Sequence, residues 1–224
     1  MRYGEILPAV FLSRPNRFIA HVLVEGEEVV CHVKNTGRCR ELLCPEARVW
    51  LEKGTNPKRK TAYDLVTVEK GRRLVNMDAQ APNKIFGEWA LRLEAGIRSV
   101  RPEVTFGDSR LDFLLETEQG RHYVEVKGVT LEEGGHVFFP DAPTERGVRH
   151  LHTLMRAVVQ MLRPTVCFVV QMADVLDFSP NDSTDPAFGQ ALRQAAAAGV
   201  QVLAFTCQVT PEEVPMDRQI PVIL

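Results

Sequence analysis

Two alternating segments joined by a short turn constrain the fold of this chain more than any other feature. In residues 110–116 and 122–129, side chains alternate with the period of two that is expected of strands. Gln119-Gly120 lies between the two segments and is typical of a turn. The sequence therefore predicts an antiparallel hairpin, against which the remaining elements must pack.

Three charged residues lie on this hairpin at a definite spacing. Asp112 is followed after 12 residues by Glu125, and Lys127 comes two positions later. Period two puts Glu125 and Lys127 on one face, where an antiparallel partner can bring Asp112 alongside. Two close carboxylates repel unless one is protonated or a cation lies between them, and Mg²⁺ accepts carboxylate and phosphate oxygens. The pattern predicts that Asp112 and Glu125 bind Mg²⁺ or Mn²⁺ and that Lys127 assists phosphodiester hydrolysis.

The same spacing also fits a surface ion-pair ladder across a hairpin. The flanking residues favour the metal site, since Glu125 and Lys127 interrupt an otherwise apolar strand. Charges in a central strand need either a partner or a function. Glu88 flanks the apolar stripe of a predicted helix and is either a third acid of the site or an ordinary solvated residue.

Charge divides the chain into two parts. Residues 1–83 contain 14 Lys and Arg against 10 Asp and Glu, a net charge of +4, whereas the whole chain carries −2 and the remainder therefore −6. The basic part suits a polyanion, and the acidic part offers carboxylates to a metal. In residues 1–83 we expect a small OB-like β-barrel with a short helix at 37–43. Its predicted strands are 18–24, 29–33, 47–52, 61–69 and 72–78.

Basic residues of this predicted barrel lie mostly in loops and at strand ends, as in a surface that binds phosphates. Phe18 or Tyr63 could add a surface on which bases stack. The alternative interpretation is a solvated face, because acidic residues are interspersed. The candidate nucleic-acid-binding residues here are Arg14, Arg17, Lys34, Arg38, Arg40, Lys58, Arg59 and Lys60.

Residues 84–224 alternate between helical and strand patterns and are expected to form a mixed sheet with helices on both faces, in the order αβββαβ. The first helix starts at Pro82-Asn83, and a later one covers 145–162. Arg146 and Arg149 lie in the first turns of that later helix, where they could meet a phosphate. Asp141 or Thr144 is a candidate cap of this helix, and His150 is a candidate general base. A further helix is predicted at 186–198, and strands at 103–106, 165–171 and 200–206.

The start of the chain lacks the basic and apolar segments of a signal peptide, and no run of about 18 apolar residues could cross a membrane. We therefore expect a cytoplasmic protein. The cysteine count of five is odd, and the spacing lacks the close pairs of most structural zinc sites. No chemistry is assigned to the cysteines.

Several motifs together resemble the sugar fermentation stimulation protein A family, and the match spans nearly the whole chain. The motifs are Arg14-Pro-Asn-Arg-Phe18, Cys31-His-Val-Lys-Asn-Thr-Gly-Arg-Cys-Arg-Glu-Leu42, Lys58-Arg-Lys-Thr61, Ser109-Arg-Leu-Asp-Phe113, Tyr123-Val-Glu-Val-Lys-Gly-Val129 and Phe139-Pro-Asp-Ala-Pro-Thr-Glu-Arg-Gly147. The resemblance implies a prokaryotic DNA-binding protein with an N-terminal OB-like domain, residues 1–83, and a restriction-endonuclease-like domain of the PD-(D/E)xK superfamily, residues 84–224. By its name the family is linked to regulation of sugar (maltose) metabolism.

The resemblance also implies roles for individual residues. Asp112 matches the metal-binding aspartate of the superfamily, Glu125 its second acid and Lys127 its lysine, while Glu88 matches the acid often found on the first helix. Leu111 replaces the proline for which the motif is named, at a position that takes no part in the chemistry.

Two functions remain open from the sequence. One is a DNA-binding protein with a metal-dependent nuclease site, and the other is a non-catalytic DNA-binding regulator that keeps the nuclease fold as a scaffold. An enzyme acting on a small sugar fits poorly, because the chain has no phosphate-cradling glycine loop and no carbohydrate-binding aromatic platform. RNA as an alternative ligand and a homodimer as the assembly also stay open.

Overall fold

The N-terminal part of the chain forms a closed β-barrel. The computed structural model describes residues 1–224. The strand order is β3-β2-β1-β4-β5-β6, and a parallel pairing of β3 with β5 closes the first five strands into a barrel. This confirms the predicted OB-like barrel. The strands are β1 (Ile6–Ser13), β2 (Ile19–Val24), β3 (Glu27–Val33), β4 (Arg48–Lys53), β5 (Tyr63–Lys70) and β6 (Arg73–Asn76).

The barrel departs from the sequence prediction in two places. The sequence does not predict β1, although this strand pairs with both β2 and β4. The predicted helix at residues 37–43 is wrong, because this segment forms turns in which the N–H groups of Leu42 and Leu43 both donate to the carbonyl of Cys39. Cys39 has a φ of 46°, which a continuous right-handed helix does not allow.

The rest of the chain forms a mixed sheet with helices on both faces, as predicted. The sheet has the order β15-β14-β12-β9-β8-β7, and a small three-stranded sheet, β10-β11-β13, lies beside it. The helices are α1 (Ala81–Trp89), α2 (Glu145–Val159) and α3 (Pro186–Ala197), and none is long and apolar enough to cross a bilayer. The strands are β7 (Ile97–Phe106), β8 (Ser109–Thr117), β9 (Gly120–Val129), β10 (Leu131–Glu133), β11 (His136–Phe139), β12 (Arg163–Val170), β13 (Asp177–Pro180), β14 (Gln201–Cys207) and β15 (Met216–Ile220).

The period of two in the central strands sorts their side chains between two apolar clusters. Val124 and Val126 of β9 pack in a cluster with Ile85 and Phe86 of α1. On the opposite face, α2 and α3 contribute to a second cluster that also contains the barrel interior. Because the barrel and the α2 face share this continuous apolar cluster, burial of apolar surface stabilises the contact between the two parts.

Buried polar groups fix the barrel against the mixed sheet. Glu132 of β10 is 4% exposed and accepts hydrogen bonds from Lys70 and Arg73 at the β5–β6 turn. Gln171, which follows β12, donates to Asn76 Oδ1 at 2.8 Å and to the carbonyl of Asp78 at 3.0 Å. β6 ends at Asn76 and α1 begins at Ala81, so the predicted boundary after residue 83 lies in the first turn of α1. The hydrogen bonds of Glu132 and Gln171 hold the barrel in one position relative to the mixed sheet.

Candidate metal and nucleic-acid site

Asp112 lies where the hairpin strands β8 and β9 separate. Their ladder runs from the pair Thr117–Gly120 to the pair Phe113–Val124 and stops there. One residue beyond the ladder, Oδ2 of Asp112 accepts the backbone N–H of Val126 at 2.8 Å. The Asp112 carboxylate thus accepts a hydrogen bond from a backbone N–H at the point where the strand pairing ends. This leaves the Asp112 carboxylate in the gap between the two strands.

Glu125 of β9 carries the second carboxylate, and its two oxygens differ. Oε1 accepts hydrogen bonds from Lys127 Nζ at 2.5 Å and from Nδ1 of His150 on α2. Oε2 is buried and has no hydrogen-bond partner. An unpartnered carboxylate oxygen in a buried position is costly unless it binds a cation or a donor. The structure therefore brings Asp112, Glu125 and Lys127 together and leaves one oxygen of the group unsatisfied.

The pKa values of the two carboxylates are shifted in opposite directions. Burial and the nearby charge of Glu125 raise the pKa of Asp112 above its ordinary value, against the hydrogen bonds from Val126 and Asn83. Burial also acts to raise the pKa of Glu125, but the hydrogen bond from His150 and the charge of Lys127 outweigh it and lower that pKa. The site thus holds one ionised carboxylate beside a second one whose ionisation is disfavoured without a further cation.

The carboxylates open into a cavity of about 400 Å³. Residues that precede or begin α1 form one wall, and the first turn of α2 forms another. Thr144 caps α2 by accepting the N–H of Gly147 at 3.1 Å, and its own N–H donates to Asp185, the cap of α3. The lining residues are Ala79, Gln80, Asn83, Asp112, Glu125, Val126, Lys127, Thr144, Arg146 and Gly147.

The donor set fits a hard divalent cation better than a protein-only metal centre. No three His, Cys, Asp or Glu side chains converge as a closed metal site requires. Mg²⁺ commonly takes one or two carboxylates and fills its remaining positions with water and substrate phosphate. Asp112 and the free Oε2 of Glu125 match this pattern, and a cation between them would remove the repulsion that raises the pKa of Asp112.

Glu88 does not belong to this cluster. Its carboxylate pairs with the N-terminal ammonium of Met1 at 2.6 Å and lines a different cavity. Asn83, on the first turn of the same helix, reaches the site instead, where Nδ2 donates to Asp112 Oδ1 at 2.9 Å. The Pro82-Asn83 pair marks the helix start in the sequence, but nothing in the sequence distinguishes Asn83 as a partner of Asp112.

Three of the predicted phosphate-binding residues of the barrel are occupied by internal contacts. The Arg14 guanidinium donates to the backbone carbonyls of Arg17, Asn35, Gly37 and Arg38, so it joins two loops. Lys34 lies within 3.4 Å of three carboxylates, and Arg59 binds Asp64 through two nitrogens. The other five are exposed and have no ion-pair partner: Arg17, Arg38, Arg40, Lys58 and Lys60.

The barrel loop that carries Arg38 lies beside the cavity. The carbonyl of Lys34, where the loop begins, accepts the N–H of Ala79, which lines the cavity. The Asp141 carboxylate, in the segment before α2, is so close to Gly37 that a Cβ at this position would overlap it. The loop thus contacts both segments that flank the cavity, and the contacts from Arg14 hold it in place.

The remaining predicted residues lie on the first turns of α2. Arg146 is exposed, lines the cavity, and its Nε lies 3.4 Å from Nε2 of His150. Arg149 is exposed, and its side chain has no hydrogen-bond or ion-pair partner. Of the candidate stacking residues, Phe18 is 54% exposed, whereas Tyr63 is partly buried against the barrel core.

Comparison with family models assigns both parts of the chain. Residues 12–77 match the model described as the SfsA N-terminal OB domain. Residues 80–213 match the model described as the sugar fermentation stimulation protein RE domain. The two matches follow one another along the chain and correspond to the barrel and the mixed sheet.

Whole-chain comparisons agree with these matches. The chain is 53% identical over 218 residues to a sugar fermentation stimulation protein homolog of Desulfitobacterium hafniense, covering 96% of this chain and 94% of that protein. It is 47% identical over 226 residues to a homolog of Clostridium beijerinckii, with both chains fully covered. The solved structure of Pyrococcus furiosus SfsA in complex with Ca²⁺ superposes with a TM-score of 0.89 at 28% identity, covering 100% of this chain and 98% of that one.

Proposed function

The chain belongs to the sugar fermentation stimulation protein A family, and we propose that it binds DNA and hydrolyses phosphodiester bonds with the help of Mg²⁺ or Mn²⁺. The barrel and the first turns of α2 bind the phosphate backbone. The cavity between β8, β9 and the two helix starts is the site of hydrolysis. RNA shares the backbone chemistry and is the alternative ligand.

One observation carries the proposal. The buried Oε2 of Glu125 has no partner, and it belongs to the same cavity as Asp112, whose pKa is raised by burial and by Glu125. An ion-pair ladder would satisfy both carboxylates, whereas this arrangement lacks one cation. The complex of Pyrococcus furiosus SfsA with Ca²⁺ supports a divalent cation as a ligand of proteins with this fold.

The side chains of the cavity have separable roles in the proposed reaction. Asn83 and the N–H of Val126 orient Asp112, and His150 holds Oε1 of Glu125 so that Oε2 stays available. A bound Mg²⁺ or Mn²⁺ supplies Lewis-acid polarisation of the phosphate and lowers the pKa of a bound water.

Lys127 contributes a positive charge to the cavity. Its side chain is 17% exposed and lines the cavity, and its ammonium is held by Glu125. There it orients the attacking water or stabilises the negative charge that develops on the phosphate oxygens. Replacing it with a neutral residue is expected to reduce the rate without removing the metal ligands.

Support for DNA as the ligand comes from the exposed cations near the cavity. Arg17 and Arg38 lie on two barrel loops that Arg14 joins, and Arg146 lies at the cavity itself. Exposed arginines without carboxylate partners can bind phosphates at low desolvation cost, and several of them acting together supply sequence-independent affinity.

The test is cleavage of labelled single-stranded, duplex and branched DNA, and of RNA, by purified protein with Mg²⁺, Mn²⁺ or EDTA. Asp112→Asn and Lys127→Met are compared with the wild type and with Glu116→Gln, which changes a carboxylate at the other end of β8. We expect metal-dependent products that both site variants lose, by a factor of about 10³ or more, and that the Glu116 variant keeps.

Two results would contradict the proposal in different ways. If the wild type binds DNA but yields no products under any condition, hydrolysis is excluded and the chain is a non-catalytic DNA-binding regulator. If products persist in Asp112→Asn, either another site or a contaminant cleaves. Binding is measured in EDTA for every variant, so that a loss of activity is not mistaken for a loss of affinity.

A further inference from the structure

A groove along α2 lies next to the candidate site. It has a volume of about 750 Å³. One wall is α2 from Arg146 to its last residue, Val159, and the other is the end of the β7–β8 turn with the start of β8, residues 108–110. We call this cavity the α2 groove. Its lining residues are Asp108, Ser109, Arg110, Arg146, Arg149, His150, His152, Thr153, Met155, Arg156 and Val159.

The α2 groove is strongly basic. Four of its residues are arginines and two are histidines, and its single carboxylate, Asp108, is paired with Arg156. Arg149 has no partner, and Arg110 pairs only with the exposed Glu103 on the neighbouring strand. Exposed ion pairs contribute little, so a phosphate can replace Glu103 at small cost. The proposed function uses neither Arg110 nor Arg156, and it gives Arg149 only a contact with the phosphate backbone.

The helical positions place these groups in one stripe. Arg146, Arg149, Thr153 and Arg156 are spaced by three, four and three residues, which puts them on the same face of a helix. Ser109 and Thr153 also line the groove, and their hydroxyl groups lie 2.8 Å apart. Guanidinium and hydroxyl groups that follow one another along a groove can bind successive phosphates.

The stripe begins at the candidate site and leads away from the barrel. Arg146 lines both cavities, and His150 lines the groove while its Nδ1 binds Glu125. The barrel loop that carries Arg38 lies near the N-terminal end of α2, where Gly37 is close to Asp141. Arg146 and Arg156 are ten positions apart on the helix, which corresponds to about 15 Å along its axis. That length corresponds to roughly four nucleotides of one strand.

We propose that the α2 groove binds the backbone of the nucleic acid on the side of the cleaved bond that faces away from the barrel. This inference rests on the proposed function and specifies its substrate: a strand that continues past the site in both directions and is cut internally. The far end of the groove does not close around a strand end, since Val159 is 84% exposed.

The first test measures affinity. Binding of a fluorescent DNA oligonucleotide is followed by anisotropy in EDTA over a series of KCl concentrations, for the wild type and for Arg110→Gln/Arg149→Gln. The control is Arg72→Gln/Arg121→Gln, a pair of exposed arginines without ion-pair partners, one in the β5–β6 turn and one at the start of β9. We expect the groove variant to bind about 10-fold or more weakly and its salt slope to fall by roughly 1.5 to 2, the value for two lost phosphate contacts, while the control keeps both.

The second test asks whether a strand must end in the site. A covalently closed single-stranded DNA circle and the linear form of the same sequence are incubated with Mg²⁺ and the wild-type protein. We expect both to be cut, because a groove that continues past the site accommodates a strand without ends. Cleavage of the linear form alone would overturn internal cutting.

The outcomes separate this inference from the proposed function. If the groove variant binds with the affinity and salt slope of the wild type while Asp112→Asn still abolishes cleavage, the groove is not part of the path and the nuclease function stands. If the wild type neither binds nor cuts DNA, the proposed function fails and the inference fails with it. Equal losses in the groove and control variants would indicate a general charge effect and would also overturn the inference.

Discussion

Two groups of charged residues that are largely shielded from water, one in the barrel and one in the mixed sheet, are built differently. The barrel group consists of Lys34, Glu52, Arg59, Asp64 and Asp78. The sheet group consists of Asp112, Glu125 and Lys127. Both combine carboxylates with a lysine in a position largely shielded from water, and both lie on or beside motifs that resemble those of the family.

Hydrogen bonding separates the two groups. In the barrel group every carboxylate oxygen accepts at least one hydrogen bond; Asp64, for example, is bound by Arg59 and His32. Burial acts to raise the pKa of Asp64, but the hydrogen bonds from Arg59 and His32 and the charge of Lys34 outweigh it and lower that pKa. In the sheet group Glu125 Oε2 has no donor and the pKa of Asp112 is raised.

The contrast shows that buried charge alone does not identify a site. A group that satisfies all its members stabilises the fold, whereas a group that leaves an oxygen free keeps a position for a ligand at some cost in stability. The comparison predicts opposite behaviour when one aspartate is neutralised in each group, with asparagine as the replacement of similar shape.

The largest effect is expected for Asp64→Asn. The substitution leaves Arg59 and Lys34 without their shared carboxylate, and breaking a buried ion pair in this way costs about 3–5 kcal/mol. Urea unfolding of the metal-free protein measures the loss. A loss of stability below about 1 kcal/mol would mean that Asp64 is not essential to the barrel group. The barrel group and the sheet group would then differ less than we expect.

Divalent cations are expected to act on one group only. At a Mg²⁺ concentration 100 times the dissociation constant, the wild type should gain about 2.7 kcal/mol of stability. Asp112→Asn should lose most of this stabilisation by Mg²⁺. Asp64→Asn should be stabilised by Mg²⁺ as much as the wild type, although its metal-free form is less stable. Thermal unfolding with and without Mg²⁺ measures the shifts; equal Mg²⁺ effects in the wild type and Asp112→Asn would place the cation elsewhere.

In metal-free protein, Asp112→Asn is expected to stabilise the fold, on the order of 1 kcal/mol. The raised pKa means that the ionised Asp112 side chain is less stable in the folded than in the unfolded state, so removing its charge relieves the repulsion from Glu125. Asparagine still offers an oxygen to the N–H of Val126. Unfolding in EDTA at neutral pH is the measurement, and clear destabilisation would contradict the account of the sheet group.

The smallest expected effect is in the pH dependence of these differences. Because the folded pKa of Asp112 is raised, its penalty is present at neutral pH and is relieved as the pH falls through that folded value. Because the folded pKa of Asp64 is lowered, its contribution is present above the unfolded value of about 3.9 and is lost as the pH falls through the lower folded value. As the pH is lowered, the stabilisation by Asp112→Asn should therefore disappear first. The destabilisation by Asp64→Asn should disappear only at a lower pH. Unfolding measured between neutral and acidic pH compares the two, and the reverse order would contradict the assigned pKa directions.

The sequence by itself determined the elements with clear periodicity. The period of two in residues 110–116 and 122–129 predicted the hairpin β8–β9 and the shared face of Glu125 and Lys127, because strand geometry alone sets those positions. β1 escaped prediction because Ile-Leu-Pro-Ala-Val-Phe-Leu-Ser is almost continuously apolar and contains Pro8, so no alternation marks it.

The tertiary structure alone decided what each charged side chain does. Arg14 and Arg17 are three residues apart and look equivalent in the sequence, yet Arg14 binds four backbone carbonyls and Arg17 is exposed. Glu88 and Asn83 lie on one helix, but only Asn83 reaches Asp112. The α2 groove joins residues from a turn and a helix that are distant in the chain. Local spacing sets the direction of a side chain, whereas its partners come from segments that only folding brings near, and the partners determine whether a buried charge stabilises the fold or remains available to a ligand.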